Sequence, residues 1–295
     1  MNTRFLFFTL SLAVSLFVVG CDSSSGSGEP PNVLDAPVDE GRSIGERTFQ
    51  LYVPSGIDLN QPTAVVLSHH GATPGTGGAA RLQQGVAGTN AHAQEHGYIA
   101  VHPQSRIRGT EENPVQSWES TADSPDILFI DDILDALRDE LTIDEARIFS
   151  TGISSGGAFS YALGCWRGDV IAAIGPVAGV DPSESCTSPR PVPAVAFYGT
   201  SDGSYDRGSN SALAWAQGNG CSTETEEVFQ NGDSTCNAWT GCDADVELCT
   251  VDGGGHTWPG SATGPTFEAV GQGKTTLDLD ATDHMWTFFT QHPMQ

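Results

Sequence analysis

The stretch that decides the fold is Arg147-Ile148-Phe149-Ser150-Thr151-Gly152-Ile153-Ser154-Ser155-Gly156-Gly157-Ala158. Arg147 to Ser150 reads as a short parallel strand, and Ala158 to Cys165 as the body of a helix. Between them lies Gly-x-Ser-x-Gly in the context that gives the motif meaning: strand, sharp turn, helix. Such a turn holds its serine in a strained backbone conformation, and Gly152 and Gly156 let neighbouring chain approach without a side-chain clash. Ser154 then stands at a helix N-terminus, where developing negative charge is favoured, and the Ser155 N–H is one donor to an oxyanion.

A serine nucleophile needs a base and a group to orient it. Of the histidines, only His256, His284 and His292 follow Ser154. His292 is next to the C-terminus, and His284 lies inside the helical pattern Ala281 to Thr290. His256 instead sits in Asp252-Gly253-Gly254-Gly255-His256-Thr257-Trp258-Pro259-Gly260, directly after the strand Val246 to Val251, in a loop too rich in glycine to be core. The acid belongs after a strand between the two, and Ala194 to Phe197 leads into Gly199-Thr200-Ser201-Asp202, which selects Asp202 over Asp206 and Asp181. The order Ser154, Asp202, His256 is that of α/β-hydrolases. The second oxyanion donor is expected after the strand Ala64 to Leu67, in His70-Gly71-Ala72-Thr73-Pro74-Gly75. Pro has no N–H, so Ala72 or Thr73 supplies it, Ala72 being preferred. His69 and His70 read as loop architecture.

The rest of the chain agrees with an α/β fold. Arg47 to Val53 alternates like a half-exposed antiparallel strand, whereas Tyr98 to Val101 and Val170 to Ile174 are continuous apolar runs of the buried parallel kind. The clearest helix starts at Ser124, with Pro125 at its first position and Ile127, Ile130, Leu134, Leu137 and Leu141 on one face. Strands alternating with helices imply βαβ units, a mostly parallel central sheet with helices on both faces, and one domain over residues 32–295. The chain of 295 residues carries 12 Lys+Arg against 37 Asp+Glu, a net charge of −25 that repels phosphate backbones and excludes nucleic acid as a partner.

The N-terminus reads as an export signal over residues 1–20: Arg4, then an apolar run from Phe5 to Val19 too short to be a membrane helix. It ends in Val18-Val19-Gly20-Cys21, which resembles the lipobox of bacterial lipoproteins, with an ordinary cleaved secretory signal as the alternative. Residues 21–31 would then be a lipidated Cys21 and a flexible Ser/Gly/Pro tether, and the lipid anchor the only membrane contact. The other six cysteines, Cys165, Cys186, Cys221, Cys236, Cys242 and Cys249, are an even number, as disulfides in an exported protein require, and 15 pairings are possible. No Cys-x-x-Cys occurs and no histidine lies between Cys221 and Cys249, so no metal site is read.

His70-Gly71, Gly152-Ile153-Ser154-Ser155-Gly156-Gly157, Gly199-Thr200-Ser201-Asp202 and above all His256-Thr257-Trp258-Pro259-Gly260 together resemble the exported polyhydroxybutyrate-depolymerase and feruloyl-esterase family. The resemblance spans about Thr48 to Trp286. It implies an α/β-hydrolase that cleaves carboxylic esters without a cofactor, on hydroxyalkanoates or on the feruloyl and acetyl groups of plant xylan, with a small or oligomeric ester as substrate. It also implies a Cys165–Cys186 disulfide. Cys221–Cys242 is expected beside it, and Cys236–Cys249 follows from their places on opposite arms flanking Gly241 to Ala244. Trp258, next to the base, and Trp118, in the loop Arg106 to Asp123, are candidates for an apolar substrate wall or for plain loop packing. The departure is His-His-Gly-Ala-Thr-Pro-Gly in the oxyanion loop, where relatives often carry Cys or Gly after His-Gly. Proteolysis is the rival activity, and a lipid-anchored binder that has lost catalysis is the rival of another class.

Overall fold

A computed structural model describes residues 31–182 and 188–295. The export signal, Cys21, nearly all of the tether and Cys186 lie outside the described residues. Among the described residues, no helix is long and apolar enough to cross a membrane.

The chain runs β1 (Val38–Ile44), β2 (Arg47–Val53), β3 (Thr63–His69), β4 (Thr73–Pro74), α1 (Ala79–Ala87), α2 (Thr89–His96) and β5 (Ile99–Pro103). Next come β6 (Ile107–Gly109), β7 (Pro114–Gln116), α3 (Pro125–Glu140), β8 (Ile143–Ile153), α4 (Ser155–Trp166) and β9 (Ala173–Val177). The last part is β10 (Ala194–Gly199), α5 (Tyr205–Gly218), β11 (Thr225–Asn231), β12 (Ser234–Trp239), β13 (Val246–Val251), α6 (Gly264–Ala269) and α7 (Ala281–Gln291).

One sheet has the order β1-β2-β5-β3-β8-β9-β10-β13-β12-β11. From β5 to β13 every neighbouring pair is parallel, while β1 and β2 on one side and β12 and β11 on the other pair antiparallel. Alternation along the parallel strands divides the core. In β3, Val65 and Leu67 join Ile127, Phe129, Ile130 and Leu134 of α3 and Phe159 of α4 on one face. Ala64 and Val66 join Val86 of α1, Ala93 of α2 and Met285 and Phe289 of α7 on the other. The sheet is therefore covered by helices on both sides, the expected α/β-hydrolase architecture.

Ser124 caps α3 through its side chain, which accepts the Ile127 N–H at 3.2 Å, with Pro125 in the first turn. Two expectations shift. The strand read from Val170 begins at Ala173, because Val170 and Ile171 finish the turn after α4 with both N–H groups on the Arg167 carbonyl. The loop Arg106 to Asp123 contains β6 and β7, which form a separate three-stranded sheet with β4. Cys236 and Cys249 face each other across β12 and β13 and are bonded, as are Cys221 and Cys242. Cys165 is disulfide-bonded too.

Candidate active site

Strand β8 ends at Ile153 and helix α4 begins at Ser155, so the chain reverses on Ser154 alone, at φ 57° and ψ −117°. Only glycine enters positive φ freely, so the turn holds this serine under strain. The flanking glycines follow from backbone approach. A Cβ on Gly156 would lie 2.1 Å from the His69 carbonyl oxygen, and one on Gly152 2.5 Å from the same atom. Ser154 N–H donates to the Val177 carbonyl at 2.8 Å, tying the turn to the end of β9.

The next two strands carry the other groups. Asp202 follows β10 and His256 follows β13, and these strands are parallel neighbours, so their C-terminal loops meet above the same sheet edge. The meeting is backbone to backbone: a Cβ on Gly199 would come within 2.2 Å of the Gly254 carbonyl oxygen, and Ser201 N–H donates to that oxygen at 2.8 Å. His256 N–H donates to the Gln272 carbonyl at 2.7 Å, which holds the loop from its other side. His256 Nδ1 donates to Asp202 Oδ2 at 2.7 Å, and Asp202 Oδ1 accepts the Ser204 N–H at 2.8 Å. An ionised carboxylate only accepts, so Nδ1 carries the proton and Nε2 is left as the free base. Burial pushes the Asp202 carboxyl up, but the hydrogen bonds from His256 and Ser204 outweigh it and hold the group below the usual carboxylate range. Asp206, the alternative acid, lies in the first turn of α5. His284 bonds Glu247 at 3.0 Å, and His292 reaches both the Phe288 carbonyl and Asp245.

Ser154 and His256 line one cleft of about 200 Å³ together with Gly71, Ala72, Thr73 and Pro74. Among the described residues the Ser154 hydroxyl has no hydrogen-bond partner, which is common before substrate tightens such a site. The N–H of Ser155, at the first position of α4, has no partner within its helix and belongs to the positive end of the helix dipole. The cleft thus brings together the turn serine, the histidine and the segment Gly71-Ala72-Thr73-Pro74.

The two tryptophans do something other than line it. Trp258 is 1% exposed and donates its indole N–H to Thr282 Oγ1 at 3.0 Å, inside the core. Trp118, also buried, stacks on Phe159 with ring centroids 4.6 Å apart. Its indole N–H donates to the His70 carbonyl at 2.8 Å, and its backbone N–H to Ser155 Oγ at 3.2 Å. Trp118 therefore ties the segment after β3 to the start of α4. Of the substrate wall and the loop packing weighed for these residues, the structure places both in packing.

His70 is buried and its role is architectural. Nδ1 donates to the Gly71 carbonyl at 2.7 Å and Nε2 accepts the Ser105 N–H at 3.1 Å, fixing both the tautomer and the course of the loop after β3. Burial lowers its pKa to about 4, so it stays neutral. His69 is wholly buried and bonds Ser150.

Sequence reasoning missed the walls. Leu82, Gln83 and Val86 of α1, Phe267 of α6 and Gln272 complete the cleft. The amphipathic period of Ala79-Ala80-Arg81-Leu82-Gln83-Gln84-Gly85-Val86-Ala87 marks a helix, but nothing local says that its end overhangs Ser154.

No protein-family model matches the chain. It is 26% identical over 302 residues to feruloyl esterase D of Neurospora crassa, covering 99% of this chain and 98% of that one. It is 27% identical to a probable feruloyl esterase C of Aspergillus niger over 85% of this chain and 91% of the other. Feruloyl esterase B of Piromyces equi is 26% identical over 69% of this chain, which spans only 41% of that protein's length. Among solved structures, acetyl xylan esterase from Aspergillus awamori superposes with a TM-score of 0.61 at 16% identity, over 78% of this chain and 98% of that one. An S-formylglutathione hydrolase from Agrobacterium tumefaciens superposes with a TM-score of 0.55 at 14% identity, over 90% of this chain. By these distant homologues over most of its length the chain is similar to the feruloyl esterases and carbohydrate esterases, and its fold is that of the α/β-hydrolases.

Proposed function

We propose that this protein is a serine esterase that hydrolyses carboxylic esters through an acyl-enzyme, with feruloyl or acetyl esters of plant polysaccharide as its substrate class. The observation that carries the reading is the 2.7 Å His256–Asp202 hydrogen bond beside a positive-φ serine on the same cleft. In the proposed sequence, His256 Nε2 takes the Ser154 hydroxyl proton as Oγ attacks the ester carbonyl. Asp202 holds the imidazole and stabilises the imidazolium, without itself taking the proton. The N–H groups of Ser155 and Ala72 receive the oxyanion. The imidazolium then protonates the leaving alcohol, and a water deprotonated by His256 releases the acid.

The names of the relatives support the feruloyl and acetyl arm over a hydroxyalkanoate polymer. So does the cleft: about 200 Å³ is less than the roughly 300 Å³ at which sites for drug-sized ligands begin, and it takes an acyl group rather than a chain. Two disulfides among the described residues suit an oxidising compartment outside the cytoplasm. Export with a lipid anchor at Cys21 completes the proposal, placing a cell-attached enzyme where soluble fragments arrive. At a net charge of −25 the surface disfavours acidic polymers such as pectin.

The test is a side-by-side assay of methyl ferulate, acetylated xylo-oligosaccharide, hydroxybutyrate oligomers and intact hydroxybutyrate granules, together with labelling by an alkyl fluorophosphonate. Higher kcat/KM on the soluble feruloyl or acetyl esters, with label on Ser154, is expected. Fastest turnover on granules would overturn the substrate class. Absence of label and of turnover would make the protein a non-catalytic binder.

A further inference from the structure

Away from the cleft, His92 and His96 lie four residues apart on α2, hence one turn apart on one helix face. Their rings are stacked, with centroids 4.1 Å apart. Asp283, in the first turn of α7, meets them across the seam between the two helices, with Oδ1 3.7 Å from His92 Nε2. One ligand-type atom from each of the three residues lies within 4.8 Å of the other two.

The protonation pattern makes this more than proximity. The Tyr98 hydroxyl lies 3.1 Å from His92 Nδ1 and 3.3 Å from the Thr89 carbonyl, to which it can donate. In the tautomer with its hydrogen on Nδ1, held by the Tyr98 oxygen, His92 presents a lone pair at Nε2. That Nε2 is buried and has no hydrogen-bond partner among the described residues. A buried ring nitrogen without a hydrogen-bond partner, turned toward a carboxylate oxygen 3.7 Å away, is an arrangement that a bound cation resolves. A ligating imidazole held by its other N–H on a neighbouring hydroxyl is also how metal-binding histidines are oriented.

We propose that His92, His96 and Asp283 bind a first-row divalent transition cation, Zn²⁺ foremost, which staples α2 to α7. Two imidazoles and one carboxylate suit Zn²⁺, Co²⁺, Ni²⁺ or Cu²⁺ and are a poor set for Mg²⁺ or Ca²⁺, which require oxygen. Zn–N and Zn–O bonds of about 2.0–2.2 Å place tetrahedral ligands roughly 3.3–3.6 Å apart, close to the 3.7 Å already present. His96 and Asp283 are exposed and can close the remainder, leaving the fourth position to water. The strong negative charge of the chain raises the local cation concentration. None of the three residues lines the cleft, so the ion's role is mechanical. Thr282, beside Asp283, donates to the Ala87 carbonyl at 2.6 Å and accepts from Trp258, two residues beyond His256, so the staple clamps a seam that already supports the histidine loop. In the sequence this site is silent: Thr89–His96 is mostly polar, with no apolar period to show that His92 and His96 share a helix face.

The experiment uses the full chain stripped with a chelator and titrated with Zn²⁺ alone by calorimetry, followed by thermal unfolding with and without the ion. One saturable equivalent is expected, with a Tm increase of about 2–5 °C at a hundredfold excess over Kd, reversed by chelator. His96→Ala and Asp283→Asn change exposed side chains and should fold with unchanged metal-free Tm. Each should weaken binding at least about tenfold and cut the Tm shift at the same Zn²⁺ concentration to about half or less, whereas Mg²⁺ should give none. Co²⁺ in place of Zn²⁺ should give the visible absorption of a four-coordinate site in the parent chain only. Absence of saturable binding, or equal binding by the parent and both variants, would overturn the proposal.

Discussion

Replacing Ser154 by glycine should remove activity and raise stability together, and the size of the gain can be worked from the turn. At φ 57° and ψ −117° an L-residue is held at a cost of about 1–3 kcal/mol. Glycine enters this conformation freely but loses about 0.5–1 kcal/mol more chain entropy on folding. At the middle of these ranges the net effect of Ser154→Gly is a stabilisation of about 1.3 kcal/mol, or about 2–5 °C in Tm. Ser154→Ala separates strain from hydroxyl chemistry. It keeps the Cβ, and with it the strain, and removes a hydroxyl that makes no hydrogen bond among the described residues, so its stability should stay within about 0.5 kcal/mol of the parent. Both variants should lose about five to six orders of magnitude in kcat on short p-nitrophenyl esters. Scanning calorimetry on the three proteins decides the matter. A glycine variant no more stable than the alanine variant would refute the strain argument, and an alanine variant keeping more than a few per cent of activity would refute the nucleophile.

His256→Ala should be as damaging as the Ser154 change, and the double variant no worse than either, since the two groups act as one unit; additive losses would point to a different base. Asp202→Asn should lower kcat by about four orders of magnitude by leaving the imidazole in the wrong tautomer. Because the folded-state pKa of Asp202 is depressed, its stabilising contribution is present above the unfolded value near 4 and is lost as pH falls through the folded one. Urea unfolding should therefore show the Asn variant weaker than the parent at pH 6 and equal to it near pH 2; a gap that persists in acid would show that the loss has another cause. Non-reducing peptide mapping should return Cys221–Cys242 and Cys236–Cys249 together with the expected Cys165–Cys186, and two or more free thiols at these positions would break the scheme.

What could be read from the chain alone was whatever short-range chemistry dictates. Gly152-Ile153-Ser154-Ser155-Gly156 is legible because the constraint is local: a strand must reverse into a helix within one residue, and only glycine tolerates a carbonyl 2.1–2.5 Å from its would-be Cβ. The Ser124 cap and Pro125 start α3 for equally local reasons. Asp202 and His256 were legible as loop residues after apolar runs. Their 2.7 Å bond, however, depends on β10 and β13 being neighbours, a pairing across some fifty residues that no local pattern encodes. Elements with weak patterns stayed hidden: α2 is eight mostly polar residues with no apolar stripe, and β4, β6 and β7 are only two or three residues long. The roles of Trp118 and Trp258 had to wait for tertiary structure, since a tryptophan beside a catalytic loop can face the substrate or brace the loop from behind. The direction of a side chain is settled by what packs around it, here Phe159 and the His70 carbonyl for one and Thr282 for the other. The cleft wall is the extreme case. Leu82, Phe267 and Gln272 come from distant segments, and burial of apolar surface brings them over Ser154 only after the whole sheet has assembled.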